Sequence, residues 1–144
     1  MLPSPNGSAI CSAVSAGSGQ GVPSVVVGCL RIATAVARHL RGAAHVGLVP
    51  AGERWRDGSL RPAYEDLVGA GAIADRLLAH DAAVDLSPEA EAAALAFRAL
   101  RPLEQCLSGV ELVQRGWADD VRIASEVDVS SVVPVLVGGR FMAA

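Results

Sequence analysis

The chain has 144 residues, 12 basic against 15 acidic side chains, a formal net charge of −3 and 51 % hydrophobic residues. That length suits one domain, and the lack of any basic cluster argues against a nucleic-acid surface. No apolar run approaches the ~20 residues needed to cross a bilayer, so neither a membrane nor a nucleic acid is an expected partner.

Aromatic residues make up only 3 % of the chain, so the interior should consist of small aliphatic layers. Every basic residue is Arg, which points to the codon usage of a GC-rich genome before it points to chemistry. Cys11, Cys29 and Cys106 are odd in number and lack metal-type spacing. Together with the absence of a basic n-region in residues 1–10, they lead to an expectation of reduced thiols and a cytoplasmic location.

In chain order, Leu2-Pro3-Ser4-Pro5-Asn6-Gly7-Ser8 reads as a turn. Ser8 should cap a helix over residues 9–16, which Gly17-Ser18-Gly19-Gln20-Gly21 ends. Val22 to Gly28 reads as a buried strand. Leu30, Ala33, Val36, Ala37 and Leu40 stand at helical spacing over residues 30–41. Ala44 to Val49 reads as a second buried strand, followed by the polar loop Ala51 to Ser59. Pro62 suits the first turn of a helix that carries Glu65 and Asp66 near its start, with Gly69-Ala70-Gly71 as a break or a close packing point.

Residues 72–79 resume helical spacing, and Ser87-Pro88-Glu89 opens a helix to about Leu100. Ser108-x-x-Glu111 reads as a capping box for a helix ending near Gly116, and Asp119 as the cap of another to about Val127. Val132 to Val137 reads as a strand that Pro134 moves to a sheet edge. Strands alternating with helices predict an α/β fold: a mostly parallel sheet with helices on both faces, a three-layer α/β/α arrangement in a single domain over residues 1–144. Three strands make a thin sheet, which leaves a homo-oligomer open.

Ligands of open α/β sheets gather at the carboxyl ends of strands, where three loops lie. Ser4-Pro5-Asn6-Gly7-Ser8 precedes a helix N-terminus, a ready anion site, although an ordinary capped turn is the plainer reading of these residues. Gly28-Cys29-Leu30-Arg31 offers a thiol at a helix start, but no Arg stands at C-x5-R spacing, so Cys29 reads as a packed thiol and not a nucleophile. Glu53, Asp57, Glu65 and Asp66 supply hard oxygens of the kind Mg²⁺ uses, mixed with Arg54, Arg56 and Arg61; a solvated loop of mixed charge is the plainer reading of the same residues. His39, His45 and His80 share no motif.

At these loops the sequence resembles the 2-phosphosulfolactate phosphatase family. Ser4-Pro5-Asn6-Gly7-Ser8 corresponds to its Thr-Thr-Asn-Gly-Thr-like loop, Gly28-Cys29 to its strand-terminal Gly-Ser or Gly-Cys, and Ala51-Gly52 to an Ala-Gly turn. Glu65-Asp66 with Ala70-Gly71 corresponds to its Glu-Asp…Ala-Gly helix, and Ser108, Leu112, Gly116, Asp120 and Asp128 continue the pattern. Ile32 departs from it, since the family has Asn there. The family's Asp-x-x-Arg-Ala region is not found in the chain, which is therefore expected to be the C-terminal part of such a domain.

The resemblance implies a phosphoric monoester hydrolase of the coenzyme M pathway that converts 2-phospho-3-sulfolactate to 3-sulfolactate and phosphate with Mg²⁺. Another phosphorylated sulfonate or hydroxy acid remains open as substrate. It further implies Glu65 and Asp66 at the metal, and Asn6, Gly7, Ser8, Gly28 and Cys29 toward the phosphate. Arg31, Arg54 or Arg61 would face the sulfonate or carboxylate, and no residue is assigned the catalytic step itself. The alternative expectation is a catalytically inactive member that acts at most as a binding or interaction module.

Overall fold

In the computed structural model, which describes residues 5–16 and 24–144, helices hold about half of the chain and strands occur only as short antiparallel pairs. Helix α1 (Pro5–Ala16) is followed by a 3₁₀ turn (Leu30–Ile32) that leads into α2 (Ala33–His39). A hairpin of β1 (Glu53–Arg54) and β2 (Leu60–Arg61) precedes the longest helix, α3 (Tyr64–His80), and α4 (Pro88–Arg98). A second 3₁₀ turn (Leu103–Gln105), α5 (Leu107–Gln114), α6 (Ala118–Ala124) and a hairpin of β3 (Pro134–Val137) and β4 (Arg140–Ala143) complete the order.

The core forms around α3. Its Val68, Ala72, Ile73 and Leu77 are buried together with Leu30, Ile32, Ala33, Val36 and Ala37 of the 3₁₀ turn and α2. These are the inward positions that helical spacing picks out for residues 30–41. On its other side α3 meets α4 through residues without bulk: a Cβ on Gly71 would stand 1.9 Å from the Ala93 carbonyl oxygen. The two backbones touch there, and only Gly admits that approach. Gly69-Ala70-Gly71 is thus a packing point inside one continuous helix and not a break.

The expected parallel sheet with helices on both faces does not form. Parallel strands need helices over both of their faces. Here α2 and α4 pack on α3 directly, because their small residues let helix meet helix. Ala44 to Val49 joins no ladder, and its Val46 and Val49 are exposed. Val25 to Val27 does pair, but antiparallel to β3: Val26 bridges Val135, the Val27 N–H donates to the Pro134 oxygen at 3.0 Å, and the Leu136 N–H to the Val25 oxygen at 2.9 Å. Strand β3 therefore has neighbours on both sides, and Pro134 is tolerated as its first residue and not as an edge residue.

Several expected caps are displaced as well. Ser8 lies within α1 and not before it, and Pro62 precedes α3, which starts at Tyr64. Helix α5 is capped by Cys106, whose Sγ accepts from the Gly109 N–H, while Glu111 is drawn away to Arg61; the Ser108-x-x-Glu111 box is not used. Asp119 sits in the first turn of α6, where it favours the positive end of the helix dipole, and Trp117 holds the cap position. Ser87 does cap α4, accepting from the Ala90 N–H at 3.3 Å, with Pro88 as first residue. The turn residues Leu2 to Ser4, the helix stop Gly17 to Gly21 and the strand start at Val22 lie outside the described residues.

Two substitutions test the α3–α4 crossing. Gly71→Ala should destabilise the protein by roughly 1–3 kcal/mol, as overpacking of a fixed backbone contact does. Gly69→Ala, where a new Cβ meets nothing within 4 Å, should stabilise by about 0.5–1 kcal/mol through helix propensity. Urea unfolding of both variants checks the opposite signs.

Candidate active site

The turn before β1 brings distant parts of the chain together. Gly52 has φ +68, and a Cβ there would stand 3.0 Å from the Arg61 carbonyl oxygen, so the position requires Gly. Its N–H donates to Asp66 Oδ2 at 2.8 Å and its carbonyl accepts from Asn6 Nδ2 at 2.9 Å. Asn6 Nδ2 also donates to Glu53 Oε2 at 3.3 Å. One glycine residue thereby joins α1, β1 and α3.

With its amide nitrogen facing two acceptors, Asn6 has a fixed orientation, and its Oδ1 is buried with no partner among the described residues. Buried acceptors of this kind are rare unless a ligand or ion uses them. Burial is the main cause that raises the pKa of Asp66; the Gly52 N–H opposes it, and the charges of Glu65 and Glu53 add to it. The corner therefore holds a half-buried carboxylate, a second carboxylate and an orphaned amide oxygen, and would be relieved by a cation.

Glu65 and Asp66 are neighbours on the first turn of α3 but turn to different partners. Glu65 Oε2 accepts from Cys106 Sγ at 3.5 Å. The Cys106 thiol is pushed above its ordinary pKa by burial and then by the Glu65 charge, so it stays protonated and able to donate. Among the described residues no three His, Cys, Asp or Glu side chains stand close enough to form a metal cluster. Mg²⁺ needs no such cluster, because it takes one or two carboxylates and completes its shell with water and substrate oxygens. The oxygens of Asn6, Glu53 and Asp66 fit that donor chemistry.

Of the residues expected at the site, Asn6 and Asp66 come together here through Gly52, with Gly7 and Ser8 beside Asn6 in the first turn of α1, while Glu65 next to Asp66 is bonded to Cys106. Arg54 and Arg61 lie on the adjoining hairpin. Gly28 packs against Ile73, seven residues along α3 from Asp66 and so about 10 Å up the helix. Arg31 is engaged elsewhere, donating to the Ile123 carbonyl at 2.8 Å and pairing with Glu126. Cys29 is exposed and not packed, since Leu30 and Ile32 of the 3₁₀ turn take the inward places.

The sequence marks Glu53 as one of the carboxylates that suit Mg²⁺ but shows Gly52 only in the Ala51-Gly52 turn; a Gly directly before the charged loop is the one local signal for its role. A family model described as 2-phosphosulpholactate phosphatase matches residues 2–139. The chain belongs to that family. The Asn6–Gly52–Asp66 junction lies within the matched residues, and it joins in space the Asn-Gly, Ala-Gly and Glu-Asp elements on which the resemblance rests. No curated protein matches the chain. Among the described residues no helix is long and apolar enough to cross a membrane.

The raised pKa of Asp66 has a consequence for stability. A carboxyl whose folded pKa lies above its unfolded value of about 3.9 binds more protons when folded, so its ionisation opposes folding as pH rises. Asp66→Asn keeps an oxygen for the Gly52 N–H and removes that charge. In EDTA the variant should melt at higher temperature than the parent at pH 7, and the difference should vanish below the unfolded pKa; thermal unfolding at the two pH values decides it.

Proposed function

We propose that the protein is a Mg²⁺-dependent phosphomonoesterase that hydrolyses 2-phospho-3-sulfolactate to 3-sulfolactate and inorganic phosphate, the sulfolactate step of the coenzyme M pathway. The observation that carries this reading is the corner at Gly52, where a carboxylate with raised pKa and an orphaned amide oxygen meet in a chain of this family. Asn6, Glu53 and Asp66 would hold the metal, which when bound neutralises phosphate charge and polarises a phosphoryl oxygen.

The remaining work falls to the chain itself. Asn6 and Gly7 lie in the first turn of α1, where N–H groups have no partner within the helix and can donate to phosphate oxygens. Ser8 follows them in the same turn. Water attacks phosphorus, the P–O ester bond breaks, and the sulfolactate oxygen leaves and takes up a proton. Phosphoryl transfer of this type depends mostly on positioning and on stabilising charge, which a rigid peptide such as Gly52, held on both of its polar sides, supplies. Glu65 acts one step away, through the Cys106 hydrogen bond that fixes the start of α5.

Phosphate release from 2-phospho-3-sulfolactate, with and without Mg²⁺ and with EDTA, tests the proposal. Asp66→Asn should lower kcat/KM by at least about 100-fold, as loss of a metal ligand or its immediate support does. Mg²⁺ should raise the melting temperature of the parent and leave that of Asp66→Asn unmoved. A folded parent that releases no phosphate at any Mg²⁺ concentration would overturn the reading in favour of an inactive binding module.

A further inference from the structure

A cleft of about 700 Å³ opens between the β1–β2 loop and the end of α5, lined by Arg54, Trp55, Arg56, Asp57, Arg61 and Glu111 together with Arg115. Its volume is that of a small-ligand site. Four guanidinium groups face two carboxylates, and both carboxylates are already engaged. Asp57 Oδ1 accepts from the Ser59 N–H and hydroxyl at 2.9 and 2.6 Å. Glu111 receives both terminal nitrogens of Arg61, at 2.9 and 3.2 Å.

Arg61 is thereby neutralised and held as a buried strut, with its guanidinium 5.3 Å from the centre of the Trp55 ring. Arg54 donates to the Gly58 carbonyl at 2.8 Å. Among the described residues neither Arg54, Arg56 nor Arg115 forms an ion pair, although Glu111 feels the charge of Arg115. Three cations therefore converge on one cleft of a chain whose net charge is negative. An anion is the complementary occupant.

The cleft adjoins the Gly52 corner. Glu53, which touches Asn6, is the register partner of Arg61 across the hairpin, so the two Cα atoms stand about 5 Å apart. Arg61 also senses the charges of Glu53 and Glu65. A molecule of a few carbon atoms can thus reach from the acidic corner into the basic cleft.

Resting on the phosphatase reading above, we propose that this cleft is the specificity subsite for the substrate's sulfonate, with Arg56 and Arg115 as its principal donors, Arg54 beside them, and Arg61, Glu111 and Trp55 as positioning residues. A sulfonate presents three oxygens and a charge that does not titrate near neutral pH, and it takes charge-assisted hydrogen bonds from guanidinium forks. Discrimination follows from the same arrangement: a substrate without the sulfonate leaves these cations unpaired, so it binds less tightly.

The test uses the full chain and two readouts. In a Trp117→Phe background Trp55 is the only tryptophan, and its fluorescence is titrated with 3-sulfolactate and with lactate. The sulfonate should bind, more weakly as salt rises, and the Arg56→Gln/Arg115→Gln double variant should weaken it about tenfold or more. Lactate should bind far more weakly and respond little to the substitutions. In turnover, the preference in kcat/KM for 2-phospho-3-sulfolactate over 2-phospholactate should collapse toward one in the same double variant, mainly through KM. Arg56→Lys/Arg115→Lys, which keeps charge but loses the fork, should recover part of it.

Unchanged sulfolactate affinity in the Gln variant, with its circular dichroism intact, overturns the subsite, as does an equal loss for lactate, which would assign the cleft to the carboxylate. If neither phosphate ester is hydrolysed while 3-sulfolactate binds in an Arg-dependent way, the phosphatase reading fails and the subsite stands. Phosphate release with no dependence on these arginines gives the converse.

Discussion

Where α3 crosses α4, the Gly71 backbone lies against the Ala93 carbonyl so closely that no side chain fits between them, and the helix fixed by that contact is the one against which α2 and the Leu30–Ile32 turn build the core. The helix so anchored presents Ile73 under Gly28, Val68 and Ala72 to the core, and Glu65 and Asp66 at its free N-terminal end. The first turn is favoured by its own acidic side chains through the helix dipole. Yet Asp66 is half-buried and its carboxylate is disfavoured there, so one residue stabilises the helix end and strains the site. Perturbed carboxyls of this kind cluster at functional sites.

Charge is sorted across the β1–β2 hairpin. On one side Asp66 is half-buried within the charges of Glu53 and Glu65 and is joined through Gly52 to Asn6, whose Oδ1 has no partner among the described residues; on the other, three arginines with no carboxylate partner among the described residues line a cleft. Each half by itself is electrostatically unfavourable. A ligand that carries a cation to the first and an anion to the second satisfies both, and the hairpin keeps them at the separation of a small molecule. The Arg61–Glu111 pair, joining β2 to α5, fixes that separation without contributing net charge.

A second tie closes the far end of the fold. Asp128, in a left-handed backbone conformation at φ 54, accepts from the Thr34 N–H and from Arg76, while its own N–H donates to the Leu30 carbonyl. Burial works against its charge, but the Thr34 and Arg76 hydrogen bonds outweigh it and hold the carboxyl below its ordinary pKa. On the same side of the fold, Arg31 pairs with Glu126.

The sequence by itself determined the local features that depend on spacing and on chemistry close by. The inward face of α2, the Ser87-Pro88 start of α4, the acidic first turn of α3 and the resemblance to the family that the chain belongs to were all legible there. What only the tertiary structure decided was partnership. The Val-rich runs at 25–27, 44–49 and 134–137 look alike in sequence, but strand pairing is non-local: the first and last pair antiparallel and the middle one not at all. Glu111 reads as half of a capping box until Arg61, 50 positions away, offers a bidentate partner. The same holds for the orphaned Asn6 oxygen and the arginine cleft, since burial and unpaired charge exist only once distant segments have been brought against each other.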